Sequence, residues 1–366
     1  MRICLFADAQ SIHIQQLAPG LVELGHEVRI VTHKPAPLRG ATVERFHVPE
    51  PGMANLRRWQ GRLGRYLRDF LKRFDIVNIH FLSDWGFCRG SLPVEHAALI
   101  ATAWGSDIID PPGETPAPPQ LVQARQTLIR RADAVTACGP TFARTVAAYA
   151  NVRIDHVDVV PFGVDLDLFR PNRMKTRERG PFRVGFFKGF RAVYGPAVLI
   201  EAIPLVLRRL PDTRFDLVGD GTELAKCQEL ASRFGVANAI QWLPRQAHHR
   251  LPMLLSQWDL SVIPSVHEAF GVAALESAAM GVPVVASDVC GLRDTVRHEE
   301  TGLLVPPGDP QALADGIVAL LTDYELRTRM ANAGRAMVET DYDWADLLSR
   351  WIAFYESVRE GAAVMA

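Results

Sequence analysis

At 366 residues the chain is longer than one hydrophobic core usually supports, and a hydrophobic content of 48% is enough to fill two domains. A formal net charge of −1 offers no basic field for nucleic acid, and the five cysteines, Cys4, Cys88, Cys138, Cys227 and Cys290, form neither a zinc pattern nor a disulfide framework. That usage predicts a reducing, cytoplasmic setting; the apolar start Met1 to Ala7 is too short for a signal peptide, and nowhere do about 18 apolar residues run together to cross a membrane.

The first half alternates strand-like and helix-like segments, which predicts a mostly parallel sheet covered on both faces. Residues 1–7 read as a strand. Residues 12–24 carry Ile14, Leu17, Leu21 and Leu24 at helical spacing, Gly25 suits the position just past a helix, and 27–32 is the second strand. The turn 7–13 lacks the Gly-x-Gly-x-x-Gly fingerprint of a dinucleotide site, which argues against an NAD-dependent dehydrogenase. In that turn Ser11 is a helix cap or a substrate contact, and His13 is a solvated residue or an acceptor contact. Residues 42–48 predict a strand and 56–74 a basic amphipathic helix, with Leu56, Trp59, Leu63, Leu67, Phe70, Leu71 and Phe74 on one face. Such a helix either covers a sheet or lies on an anionic bilayer. Residues 75–80 read as a buried strand, 81–90 as a loop into a short helix, and 97–102 as a strand ending at Trp104-Gly105-Ser106-Asp107. Asp107 there is a turn or cap residue or an acceptor contact. Five prolines make 111–119 a surface loop, and helices 120–131 and 140–149 with strands 134–137 and 157–160 complete the half.

A polar, basic linker at 172–180 leads to strand 182–187 and the turn Lys188 to Gly195, then helix 196–210 and strand 214–218, which ends in Gly219-Asp220-Gly221. Strands near 240–242 and 260–263 bracket a helix. After Pro264 a loop carries Glu268, Gly271 opens an Ala-rich helix holding Glu276, Gly281 closes it, and 283–286 is the next strand. A loop leaving the carboxyl end of a parallel strand and feeding a helix presents backbone N–H groups to an anion. Carboxylates repel phosphate, so Glu268 and Glu276 should meet hydroxyl groups, while Lys188 and Arg191 are the cations on their turn. A ligand with a central diphosphate between hydroxyl-rich rings fits, and a sugar nucleotide is such a ligand. The last helix, 344–358, should bury Trp344, Leu348, Ile352 and Tyr355.

The stretch from Glu268 to Glu276, with Phe270-Gly271 after the first carboxylate and Gly281-Val282-Pro283-Val284-Val285 after the helix, resembles the Glu-x7-Glu signature of glycosyltransferase family 4. Leu21, Gly25, His26 and Val28 match the family's entry to strand two. Trp104-Gly105-Ser106-Asp107 is similar to its His-Gly-x-Asp site in a Trp-Gly-Ser-Asp form. Pro161 to Pro171 resembles its Pro-x-Gly-Val-Asp-x-x-x-Phe-x-Pro segment, with Phe162 where Asn is usual. That match explains Asp165-Leu166-Asp167 as part of the segment closing the first domain, not as an Asp-x-Asp metal site.

The resemblance implies an α/β GT-B fold: two Rossmann-like domains facing each other across a cleft, at 1–171 for the acceptor and 181–341 for the nucleotide sugar, with 342–366 crossing back to the first. It implies a retaining, metal-independent glycosyltransferase making an α-glycoside in polysaccharide or glycolipid synthesis, with no cofactor. Glu268 would approach the donor sugar and Glu276 the ribose. Phe270, Gly271, Val272, Gly219 and Gly221 would line the donor, and Ser11, His13, Trp104 and Asp107 a saccharide or lipid-linked acceptor. The family's Gly-Arg-Leu-x-x-x-Lys-Gly after strand one of the second domain is altered here, with Phe186 and Val193 in the cation slots, so Lys188 and then Arg191 take the diphosphate. A non-hydrolysing UDP-sugar epimerase or a non-catalytic membrane-associated scaffold is the alternative use of the same plan.

Overall fold

The computed structural model describes residues 1–45, 70–82, 97–110, 115–171 and 180–365, with side chains to 361. Most of the basic helix expected at 56–74, the loop and short helix at 83–90, the end of the strand expected at 42–48, residues 111–114 and the linker 172–179 lie outside the described residues. The chain divides into two compact units, one of Met1–Asp110, Thr115–Phe162 and Ala345–Ala366, the other of Gly163–Trp344.

In the first unit the elements run β1 (Arg2–Phe6), α1 (Ile12–Glu23), β2 (Glu27–Thr32), β3 (Thr42–Arg45), β4 (Ile76–His80), β5 (Ala98–Thr102), α2 (Pro119–Arg131), β6 (Ala134–Ala137), α3 (Pro140–Ala150) and β7 (Val157–Val159). The strands pair in parallel in the order β3-β2-β1-β4-β5-β6-β7. β4 and β5 are buried at every position, as apolar runs in a sheet covered on both faces must be. Proline at the first helical position starts both α2 and α3, where its missing N–H costs nothing. Of the 56–74 stretch, Phe70, Leu71 and Phe74 are described and buried, with the Arg29 guanidinium over the Phe70 ring.

The second unit runs β8 (Arg183–Phe186), α4 (Pro196–Leu207), β9 (Arg214–Val218), α5 (Leu224–Arg233), β10 (Ile240–Leu243), α6 (Leu251–Leu255), β11 (Leu260–Ile263), α7 (Val272–Ala279), β12 (Val284–Ser287), α8 (Leu292–Thr295), β13 (Gly302–Val305), α9 (Pro310–Thr322) and α10 (Tyr324–Asp341). Its parallel sheet has the order β10-β9-β8-β11-β12-β13. Val184, Phe186, Leu199, Ile203, Phe215, Leu217, Leu260 and Val262 lie at the centre of its core. Asp309 caps α9 by accepting from the Gln311 and Ala312 N–H groups. The reading from sequence took 163–171 into the first domain, whereas those residues group with the second unit. The Val164 N–H donates to the Tyr342 carbonyl and the Trp344 N–H to the Val164 carbonyl, which ties that segment down.

The last helix, α11 (Trp344–Met365), belongs from Ala345 onward to the first unit. Its buried stripe is Leu347, Leu348, Trp351 and Tyr355, and not the expected Trp344, Leu348, Ile352 and Tyr355. Trp344 and Ile352 are half-buried. The helix is turned so that Leu347 and Trp351 fill the core and Leu348 lies against Gly20, where a β-carbon would meet its Cδ2 at 2.7 Å.

Candidate functional site

In each sheet the strand order reverses direction at one place, between β1 and β4 in the first and between β8 and β11 in the second. Connections diverge there and leave a crevice beyond the carboxyl ends of the strands. Lys188 follows β8 by two residues and Glu268 follows β11 by five, so the two loops beside the second reversal carry a cation and a carboxylate. These side chains meet. Lys188 Nζ donates to Glu268 Oε2, which also accepts from the Ser265 hydroxyl at 3.2 Å. Both side chains are largely buried, 12% and 13% exposed. The ammonium also lies 4.3 Å from the centre of the Tyr194 ring, and the Arg191 guanidinium 5.8 Å from it. Burial works against the Lys188 charge, but Glu268, with Tyr194 and Glu276 adding to it, holds the ammonium above its ordinary range.

Gly219 and Gly221 shape this turn. A β-carbon on Gly219 would stand 2.4 Å from the Lys188 carbonyl oxygen, and one on Gly221 2.4 Å from that of Phe190. Their φ angles of +150° and +146° suit glycine, and the loops are joined by the Phe190 N–H donating to the Asp220 carbonyl at 2.7 Å. The two glycines thus set where Lys188 sits. Across the reversal, Gly271 adopts φ +97° and starts α7 with no side-chain cap. Within the first turn the Ala274 N–H donates to the Gly271 carbonyl at 2.9 Å, and the N–H groups of Val272 and Ala273 precede any carbonyl of their own helix that they could bond. Phe270 is 3% exposed, its ring packed near Tyr342 and its carbonyl accepting from the Thr295 hydroxyl at 3.1 Å, so it supports the loop from within. Glu276 is 7% exposed, and its Oε1 lies 2.7 Å from His248 Nε2. Beside Glu268, burial pushes His267 below its ordinary value, with Glu268 opposing.

At the reversal in the first unit the residues are aromatic. The His13 ring stacks on Phe162 at 3.8 Å and meets the Trp104 ring edge-on at 5.2 Å; Trp104 in turn lies 5.5 Å from Phe162 and 5.7 Å from His80. Both ring nitrogens of His80 and the indole nitrogen of Trp104 are buried with no hydrogen-bond partner among the described residues. Burial, with the charge of His13 adding, lowers His80 to about 3, so it is neutral near pH 7. Ser11 occupies the cap position of α1 without a side-chain capping bond. Asp107 takes the turn role: fully buried, it accepts from the Leu82, Trp104 and Gly105 N–H groups at 2.9, 3.1 and 2.7 Å. Burial raises its pKa and those N–H groups oppose the rise. It anchors the loop that presents Trp104.

Ser265, His248, Tyr194 and His80 were not among the residues singled out from sequence. Ser265 and Tyr194 adjoin motifs that were, so adjacency could have found them. His248 follows β10, an edge strand of the sheet, and no local pattern marks it.

The sequence pattern described as Glycosyltransferase Family 4 matches residues 10–168, and that described as Glycosyl transferases group 1 matches residues 171–337. A D-inositol 3-phosphate glycosyltransferase of Corynebacterium urealyticum is 26% identical over 396 residues, covering 96% of this chain and 91% of its own length. Among solved structures, sucrose-phosphate synthase from Thermosynechococcus elongatus superposes with a TM-score of 0.81 at 20% identity, covering 98% of this chain and 99% of its own. Anabaena HepE in complex with UDP-glucose also reaches a TM-score of 0.81, at 20% identity, covering 98% of this chain and 100% of its own. At such identities the two structures speak for the fold, the sequence matches speak for the family, and the chain belongs to glycosyltransferase family 4, with its GT-B fold.

Proposed function

We propose that the chain transfers a sugar from a nucleotide-sugar donor to an acceptor hydroxyl with retention, forming an α-glycoside, and that it needs no metal. The observation that carries this reading is the Lys188–Glu268 pair spanning the β8/β11 reversal, with Glu276 near enough to act on the same ammonium. As the bond from the anomeric carbon to the phosphate oxygen breaks, negative charge grows on the nucleoside diphosphate. Lys188, Arg191 and the start of α7 are fixed donors that gain from that charge without reorganising. The acceptor oxygen then bonds the anomeric carbon on the face the diphosphate leaves, and its proton passes to the departing phosphate. Glu268, neutralised by Lys188, orients or polarises the sugar and is not the nucleophile. The first unit takes the acceptor, with His13, Trp104 and Ser11 at its reversal point.

UDP is the leading nucleotide, because HepE was solved with UDP-glucose, and an inositol phosphate or saccharide acceptor follows the named relative. A cytoplasmic setting and a contact of 56–74 with anionic lipid rest on cysteine usage and on the basic residues of that stretch. The test is nucleoside diphosphate release from UDP-, GDP- and ADP-sugars with saccharide and inositol phosphate acceptors, with and without EDTA, and product anomers read by NMR. Acceptor-dependent release that survives EDTA and gives an α-linkage is expected. Isomerisation of the donor without acceptor would make the protein an epimerase, and loss in EDTA restored by Mn²⁺ would overturn metal independence.

A further inference from the structure

We infer that His248 is a positioning residue for Glu276, fixing its carboxylate so that one oxygen is held by the protein and the other is left for the hydroxyl pair of the donor's ribose. The inference rests on the reading that Glu276 meets that ribose. A carboxylate only accepts, so His248 Nε2 carries the hydrogen in its 2.7 Å bond to Oε1. The two side chains are 24% and 10% exposed, so the bond is shielded from solvent on the Glu276 side.

His248 is itself held from behind. Its ring lies 5.1 Å from the ring of Phe169, which is completely buried. The Phe169 N–H donates to the Asp165 carbonyl at 2.8 Å, and the Phe169 carbonyl accepts from Arg335 Nη1 at 2.8 Å. The Pro161 to Pro171 segment, whose Asp165 and Phe169 stood out in the sequence without a chemical role, thus supplies a wall for the imidazole. The chain of support runs from Arg335 through Phe169 and His248 to Glu276.

A glutamate has three rotatable side-chain bonds, and ordering them when ligand binds weakens affinity by the entropy lost. A carboxylate already fixed in the free protein avoids that loss. His248 has no bond-making part in the transfer, so its effect belongs to donor affinity and not to turnover at saturating donor. His248→Ala should weaken nucleotide binding about three- to tenfold, the range expected for freeing one rotamer-rich side chain. His248→Gln, which returns an N–H donor at similar reach, should restore most of it.

The experiment titrates UDP, GDP and ADP, which share the ribose, into wild type, His248→Ala, His248→Gln, Glu276→Ala and the double alanine variant by calorimetry, with kcat and KM for the turned-over sugar nucleotide alongside. The inference expects weaker binding and raised KM in His248→Ala, kcat within about twofold of wild type, rescue by Gln, and no further loss when His248→Ala is added to Glu276→Ala. An equal loss in both backgrounds, no rescue by Gln, or a fall in kcat with KM unchanged would overturn it. If Glu276→Ala weakens binding and His248→Ala does not, the His248 role alone fails. If Glu276→Ala leaves binding unchanged in a folded protein, or no diphosphate binds wild type, the donor reading fails and takes this inference with it.

Discussion

Lys188 and Glu268 neutralise each other in the free protein, so if Lys188 holds the donor's diphosphate, as proposed, that group must draw the ammonium away from a carboxylate or share it. Sharing favours the transition state, because the phosphate there carries more charge than in the bound donor while Glu268 carries the same. Lys188→Ala should therefore lower kcat more than it raises the donor KM, by on the order of a hundredfold, the range seen when one fixed oxyanion donor is removed. Steady-state kinetics on the folded variant checks this. Full activity in Lys188→Ala with loss in Arg191→Ala would move the role to the second cation, and full activity in the double variant would remove the turn from the mechanism. The sequence singles out Glu268, Glu276 and Lys188 because each sits in or beside a motif whose spacing is local, and the structure brings Lys188 and Glu268 together. His248 was not legible, since its bond to Glu276 joins elements separated in both the chain and the sheet, and sequence spacing carries no such geometry. Asp107 was legible as a residue but not as a role, because only its burial and three backbone donors distinguish an anchor from a contact.

Among the elements, the strands were the most legible, since an apolar run of strand length buried on both faces has no other use in a parallel sheet. Strand β13 and helices α5, α8 and α10 escaped notice. α5 and α10 are mostly polar along their length and bury few residues, so their apolar stripes are thin. The register of α11 was misread because Trp344 and Ile352 share helical spacing with Leu348 and Tyr355, and packing chose the neighbouring stripe. The element is also tied by a polar thread. Asn78 of β4 donates to the Tyr355 hydroxyl at 2.9 Å, accepts from the Thr102 hydroxyl at 2.8 Å, and Thr136 donates on to Thr102 at 2.8 Å, all buried. Tyr355→Phe keeps the ring and strands one buried amide N–H, which should cost about 1–3 kcal/mol of first-unit stability. Urea unfolding at pH 7 checks it, and a change under about 0.5 kcal/mol, the usual scatter of surface substitutions, would mean that α11 is held by its apolar stripe alone.

At the scale of the whole molecule, the alternation of strands and helices announces two parallel sheets, but where one unit stops depends on a few long-range bonds such as those of Val164, which no composition change marks. Two cores also mean that unfolding need not be one transition, so pH can act on one unit more than on the other. His80 gives the first unit such a response. Its folded value of about 3 lies below the ordinary value near 6.5, so between those limits protons bind the unfolded chain in preference. The stabilisation is therefore whole above pH 6.5 and is lost progressively as the pH falls toward the folded value. Asp107 in the same unit acts in the opposite sense, because its raised pKa favours the folded state as acid is added. Comparing wild type with His80→Phe cancels that contribution, since Asp107 is present in both. Between pH 7 and pH 4.5 the first-unit transition of wild type should lose about 3 kcal/mol more than that of His80→Phe, with the second-unit transition showing no such difference. Urea unfolding at the two pH values, followed by hydrogen exchange in peptides from β1, β4 and β5 against β8, β9 and β11, reads both units separately. Equal acid sensitivity of the two proteins in the first unit would show that His80 finds a proton-accepting partner or solvent when the pH falls, and would remove it as the acid-labile point of the fold.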